Sequence, residues 1–279
     1  MRKLEEKIFK GLMIGASAII ISILLYILYI IIRKGIPSLT LDMITKVPSG
    51  GYYLGKEGGI LNAIVGSLLL ITGAVLISIS ISLPVALYIN FILHKNSRFS
   101  NIVRLSFDIL YGIPSIVYGA FGFMLMVFLG LQASLLGGII AVSFLIIPIM
   151  VRSIDEVAAY IPRDLIEAPQ SLGATRYETL KVIVRQLMPG ITTAVLLAVG
   201  RGIGDAATVL FTAGYTDSIP VSPGQPAATL PLAIFFQLGS PLEDVQNRAY
   251  AAALILTTII LLLSFSARYF SAKLSKSKI

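Results

Sequence analysis

Glu167 to Asp205 reads EAPQSLGATRYETLKVIVRQLMPGITTAVLLAVGRGIGD, and three environments follow one another within it. The opening residues, Glu167 to Thr175, are polar and include Pro169 and Gly173, the composition of a loop. Thr175 and Glu178 then stand at the spacing of a capping box, in which each side chain satisfies the other residue's backbone N–H. Apolar Leu180, Ile183, Val184 and Leu187 recur behind it at helical intervals, so an amphipathic helix is expected to start near Arg176. Upstream, Pro162 suits the first turn of a helix running through Leu165, Ile166 and Glu167, and Gly173 suits the left-handed residue that ends it. Two short helices would make an elbow projecting from the membrane. The last part is an apolar span, Gly190 to Ala213, carrying the charges Arg201 and Asp205.

The remainder reads as membrane helices arranged around this stretch. Hydrophobic residues make up 56% of the 279 and charged residues 13%, against about 25% charged in soluble domains. The fold class expected is therefore an all-α integral membrane protein. Six spans are expected: Gly11 to Ile32, Ile60 to about Pro84 with a tilted continuation to Leu93, Asp108 to Gly130, Leu131 to Val151, Gly190 to Ala213 and Ala249 to Phe270. The third and fourth have almost no polar residues between them, which calls for a tight hairpin. The first apolar run exceeds the ~7–15-residue core of a signal peptide and no clean cleavage site follows it, so it is read as retained.

Lys and Arg near span ends stay in the cytoplasm. With the N-terminus inside, sixteen basic residues fall in inner segments and five in outer ones, leaving Arg201 within a span. Both termini are accordingly expected in the cytoplasm. The net charge of +8 then reflects orientation in the lipid bilayer rather than nucleic-acid binding. The sequence contains no Cys, which excludes disulfides and thiolate metal sites, and its single histidine, His94, leaves no metal cluster and no Ser-His-Asp set.

Two glycine motifs resemble nucleotide sites and fail on context. Gly50 to Lys56 has the spacing of a phosphate-binding loop, but Glu57 stands where Ser or Thr must ligate Mg²⁺ and no strand precedes it. Gly200-Arg201-Gly202-Ile203-Gly204 lies mid-span, without a strand-turn-helix frame. Ala198/Gly202 and Gly200/Gly204 instead have the four-residue spacing of close helix packing in lipid, with clearance for a substrate as the second reading. A mid-membrane Arg costs about 2.5–3.5 kcal/mol on insertion scales and usually faces a partner or a polar pathway. Arg201 and Asp205 are four apart and can pair on one helix face. Physics alone leaves open whether they lock helices or meet a substrate.

The Glu-Ala pair Glu167-Ala168 with Gly173 six residues after the Glu resembles the EAA loop of ABC importer permease subunits, which docks on a cytoplasmic ATPase. Leu197 to Ala207, followed by Leu210-Phe211-Thr212-Ala213, is similar to the signature of phosphate importer permeases, with Asp205 where Glu is usual. Ile113-Pro114-Ser115-Ile116-Val117 resembles that family's third span, with a helix kink expected at Pro114. Leu230 to Phe235, Ser240-Pro241 and Gln246-Asn247 look like the PstA-type member of the permease pair rather than its PstC-type partner. Two departures stand out. Pro169 replaces the second Ala of the motif, which is expected to shorten the helix, and Pro189 lies three residues later than the family's pattern places it.

The resemblance implies a MetI-like fold and a transporter subunit that is not itself an enzyme, with no cofactor bound by this chain. ATP and Mg²⁺ would sit on the partner ATPase. Implied partners are a second, PstC-like permease, a PstB-like ATPase dimer and an extracytoplasmic PstS-like phosphate-binding protein. Arg201, Asp205 and Arg152 are implied for the substrate path, Arg152 being equally readable as a positive-inside anchor. Glu167, Ala168 and Gly173 are implied for ATPase coupling. Residues 1–59 are expected to form the N-terminal flank, first helix and outer loop, 60–270 the permease domain with its coupling loop at about 152–189, and 271–279 a basic tail. A molybdate or sulfate permease, or an ion-coupled secondary transporter, is the alternative.

Overall fold

The computed structural model describes residues 2–49, 57–93, 97–162 and 164–276. The glycine-rich stretch at 50–56, His94 and the last three residues of the basic tail lie outside them.

Helix α1 (Arg2–Ser38) runs beyond the expected span, with charged residues confined to its two ends and an apolar stretch between them. It packs along the C-terminal helix, where Gly35 lets the chain approach closely: a Cβ there would stand 2.7 Å from the carbonyl oxygen of Tyr250. The Lys34 ammonium lies 5.0 Å from the centre of the Tyr250 ring, a cation–π contact. A short helix α2 (Leu41–Thr45) and two antiparallel strands, β1 (Pro48–Ser49) and β2 (Glu57–Gly58), occupy the loop that follows.

Helix α3 (Leu61–Leu87) crosses the core, and the break expected at Pro84 does not occur. The helix passes through the proline and widens into a π turn, Tyr88–Ile92, so that Leu61–Ile92 forms one apolar segment. Gly66, Leu70, Ala74, Ser78, Ser82 and Ala86 recur every fourth residue and are all buried. Gly66 is the tightest of them, since a Cβ would come within 2.0 Å of the Ala228 carbonyl oxygen. Gly66→Val is expected to destabilise the protein by about 1–3 kcal/mol through overpacking, read as a lower melting temperature in detergent.

Helix α4 (Arg98–Gly112), capped by Ser97, and helix α5 (Ser115–Phe128) were expected to form one kinked span from Asp108. They are two helices bent by 98°. Pro114 drives the residue before it out of helical geometry, and Ile113 is extended at φ −72°, ψ 131°. The Tyr118 hydroxyl donates to the Leu110 carbonyl at 2.7 Å, satisfying an acceptor freed at the end of α4. With 14 residues, α5 is too short to cross a ~30 Å hydrocarbon layer alone. Among the described residues five helices are thus long and apolar enough to span a membrane, or six if the bent pair counts as one.

A tight connection containing left-handed Gly130 (φ +67°) leads, as expected, into helix α6 (Leu135–Ala159). Helices α3 and α6 run parallel at constant register. The Ser78 and Ser82 hydroxyls donate to the carbonyls of Ser143 and Ile147, each pair being 65 residues apart, and Ser143 reaches back to Ala74. Such interhelical bonds, with small residues between them, hold helices together where lipid offers no hydrophobic drive.

Helix α7 (Asp164–Ser171) and helix α8 (Arg176–Ile203) follow. Pro169 lies inside α7, which continues to Ser171. Pro189 lies inside α8, which merges the expected short amphipathic helix with the expected fifth span and ends at Ile203, ten residues before Ala213. Most of 152–189 is therefore helix. Residues 204–229 fold back as turns. The carbonyls of Thr212, Gln225 and Pro223 accept the backbone N–H groups of Ser134, Leu135 and Leu136 at the start of α6, where a helix lacks internal partners. Helix α9 (Leu230–Leu238) and the long α10 (Glu243–Lys276) complete the bundle, with the Leu230 N–H bonded to Ser67 of α3.

Candidate substrate-path and coupling sites

The elbow forms for local reasons. Gly173 has φ +84°, a conformation that other residues adopt at a cost of roughly 1–2 kcal/mol, and a Cβ there would meet nothing. The capping box is present: the Thr175 hydroxyl accepts from the Glu178 N–H at 3.3 Å, and the Glu178 carboxylate accepts from the Thr175 N–H at 2.8 Å. Beneath the elbow, Ile183, Leu187 and Ile191 of α8 pack with Ile154 and Ala158 of α6 and Ala86 of α3, and Ile166 of α7 leans on this cluster. Helix α7 thereby rests on a cluster drawn from three long helices. Glu167, Ala168 and Gly173 are all exposed. Leu172 is 90% exposed at the tip, an apolar side chain in solvent between polar neighbours and a feature that sequence reasoning passed over.

Helix α8 has two faces. Ile183, Leu187, Ile191, Ala194, Ala198 and Gly202 are buried, while Thr193, Leu197, Gly200, Arg201 and Gly204 are exposed along the other side. The two glycine pairs singled out from the sequence therefore separate. A Cβ on Gly202 would meet Ile71 at 2.7 Å, the packing reading, whereas a Cβ on Gly200 would meet nothing within 4 Å and so serves no packing within this chain.

The expected pairing of Arg201 with Asp205 on one helix face is not observed. Helix α8 ends at Ile203, and Asp205 lies beyond the Gly204 cap. Its carboxylate is 7% exposed and accepts the Thr208 N–H at 2.8 Å. The Thr208 hydroxyl in turn reaches the Ser115 carbonyl at the start of α5. Asp205 thus organises the turn on which α5 packs. Among the described residues no ion pair reaches Arg201, and its guanidinium stands on the open face of α8.

Arg152 on α6 pairs with Asp108 of α4 and, at 3.3 Å, with Glu156 of its own helix. It is half-exposed and tied into the contact between α4 and α6. One turn away lies a network that sequence reasoning missed. Arg104 of α4 donates to both carboxylate oxygens of Asp155 on α6, to the side-chain carbonyl of Asn90 in the π turn and to the Ser100 hydroxyl. Asn90 also donates to Asp155 at 2.6 Å. The charges are crossed: α4 presents Arg104 then Asp108, and α6 answers with Asp155 and Arg152. Arg104 and Asp155 are mostly buried. Asp155→Ala strands the guanidinium and is expected to destabilise the protein by about 3 kcal/mol, the lower end for a buried pair that loses one member. A urea titration measures it.

An all-helical bundle with a protruding elbow and an arginine on an open helix face has the build of a transporter's membrane subunit. Residues 78–276 match the family described as the binding-protein-dependent transport system inner membrane component, and the chain belongs to that family. It is 35% identical over 271 residues to a phosphate transport system permease protein PstA of Haemophilus influenzae, covering 96% of this chain and 94% of that one. It is 34% identical over 276 residues to the protein of the same name from Pasteurella multocida, covering 99% and 97%. Among solved structures, an inward-facing MetNI methionine ABC transporter matches with a TM-score of 0.64 over 77% of this chain and 95% of that one, at 19% identity. That likeness establishes the fold.

Proposed function

We propose that this chain is the PstA-type permease subunit of an ATP-driven phosphate importer and forms half of its translocation path. The observation that carries the reading is the near-full-length similarity to permeases named for phosphate transport. The exposed Arg201, beside open space at Gly200, supports it. A guanidinium presents a planar fork of donors that matches phosphate oxygens, and one without a protein partner is available to an anion.

The bent pair α4–α5 counts as one of six spans, and both termini and the elbow face the cytoplasm, where basic residues concentrate. A PstC-like permease completes the path, a PstB-like ATPase pair binds ATP and Mg²⁺ and docks on Glu167 to Gly173, and a PstS-like protein delivers phosphate from outside. The chain does no bond chemistry of its own. ATPase closure moves α7, and the cluster beneath α7 passes that movement to α3, α6 and α8. Asp205 sets affinity indirectly, by fixing the turn that follows Arg201, while Arg152 holds α4 to α6.

Uptake of radiolabelled phosphate into vesicles containing the assembled transporter tests the reading. ATP-dependent uptake that excess sulfate and molybdate leave intact is expected. Uptake that survives removal of the ATPase would overturn it in favour of an ion-coupled transporter, and competition by either oxyanion would reassign the substrate.

A further inference from the structure

An apolar trough of about 840 Å³ opens where α3 and its π turn meet α4 and α8, within the ~300–1,000 Å³ typical of ligand sites. Leu83, Leu87, Ile92, Phe99, Val103 and Leu180 line it. The wall is almost entirely hydrocarbon. Ile92 and Leu180 also line a second cavity of about 350 Å³ beneath the elbow, whose wall is mixed: Phe91, Ile166 and Ile183 are apolar, while Arg176 and Thr179 of α8 and Gln170 of α7 are polar. The apolar slot and the smaller, half-polar chamber therefore share a wall, and a guanidinium lines the chamber.

Arg176 does not serve its own helix. It occupies the first position of α8, where the helix dipole disfavours a cation, and it is exposed with no hydrogen bond or ion pair to any described residue. Arg98, beside Phe99 at the trough, is likewise exposed and unpaired among them. Arg176 thus stands at the polar end of a site that is otherwise largely apolar. A peptide segment laid in the trough would find almost no partners there for its backbone N–H and C=O groups, which are costly to leave unsatisfied. An acyl chain has no such groups. The π turn, through Tyr88, Ile89 and Ile92, shapes one wall, and π turns within α-helices are frequent at functional positions.

We infer that the trough and chamber together bind one anionic phospholipid, its phosphate on Arg176 and Gln170 and an acyl chain between α3 and α4. The inference rests on the orientation proposed above only in assigning the lipid to the cytoplasmic leaflet. Its consequence is mechanical: the lipid joins α7 and α8 to α3 and α4 through the two cavities.

The test is lipid retention by the full chain, purified from membranes with the subunits that accompany it and exchanged into mixed micelles of equal phosphatidylglycerol and phosphatidylcholine. Native mass spectrometry then counts bound lipid. Wild type is expected to retain phosphatidylglycerol about tenfold over phosphatidylcholine, whose phosphate is the same but whose trimethylammonium offsets that charge and is repelled by Arg176. Arg176→Gln should bring that ratio near one, and Val103→Trp should remove both adducts by filling the trough. Leu83→Trp serves where Val103→Trp does not yield folded protein. Lysophosphatidylglycerol should displace the adduct and glycerol phosphate should not. Equal retention of the two lipids by wild type, adducts unchanged in both classes of variant, displacement by glycerol phosphate, or a second copy of the chain in place of the lipid would each overturn the inference. None of these readouts depends on phosphate transport, so a failure here leaves the transport reading untouched.

Discussion

Arg201→Ala lowers ATP-driven phosphate uptake by about 10- to 100-fold, the loss expected when one or two charge-assisted bonds to an anion disappear. Stability changes by no more than about 0.5 kcal/mol, because the side chain is exposed and makes no contact that folding would miss. This combination is diagnostic. Had Arg201 locked helices through Asp205, removing it would cost stability and transport together. Arg201→Lys restores part of the rate, since an ammonium keeps the charge and loses the planar fork. Initial rates of labelled phosphate uptake, with thermal denaturation of the same preparations, check all three statements.

Leu172→Asp uncouples the transporter. The side chain is 90% exposed in the isolated chain and sits at the elbow tip between Glu167 and Gly173, so under the proposed docking its burial against the ATPase would supply binding energy. Losing a well-placed apolar anchor costs about 2 kcal/mol or more at an interface, roughly a thirtyfold weaker association. Uptake is expected to fall by at least tenfold while the ATPase subunit still binds ATP and this chain stays folded. Glu167→Lys acts in the same direction. Co-purification of the ATPase with variant and wild-type chains, beside uptake rates, separates lost docking from lost folding.

What could be read from the sequence divides along the range of the interactions. The Thr175–Glu178 capping box, left-handed Gly173 and the tight turn before α6 depend on a few adjacent residues, and the structure has each of them as expected. Pro114 marked where the chain breaks but not how far it turns, because the 98° angle is set by what α5 packs against, including the turn ordered by Asp205. Pro84, Pro169 and Pro189 show the converse. A proline forbids one backbone bond, and a helix held by tertiary packing survives the loss, as α3 and α8 do, while α7, which buries no residue, still runs two residues past Pro169.

The misreading of Asp205 turned on the end of one helix. Had α8 reached Ala213, a four-residue spacing would have placed two charges on one face. It stops at Ile203, so the same spacing points Asp205 inward. The Arg104–Asp155–Asn90 network joins residues 51 and 65 apart, and no local pattern signals such a pairing. Its register becomes legible only once Ser78 and Ser82 have shown that α3 and α6 run parallel at the same offset.

The central claim is that the open face of α8 lines a watery route for an anion, and thiol accessibility tests it most directly. The chain has no cysteine, so single cysteines at Gly200, Gly204 and Ala198 can be introduced without background. In the assembled transporter, Gly200→Cys and Gly204→Cys should react with a charged, membrane-impermeant thiol reagent and react more slowly when phosphate is present. Ala198→Cys, fully buried on the opposite face, should stay inert. Equal reactivity at all three positions, or modification of Gly200→Cys by lipid-soluble reagents alone, would contradict the account.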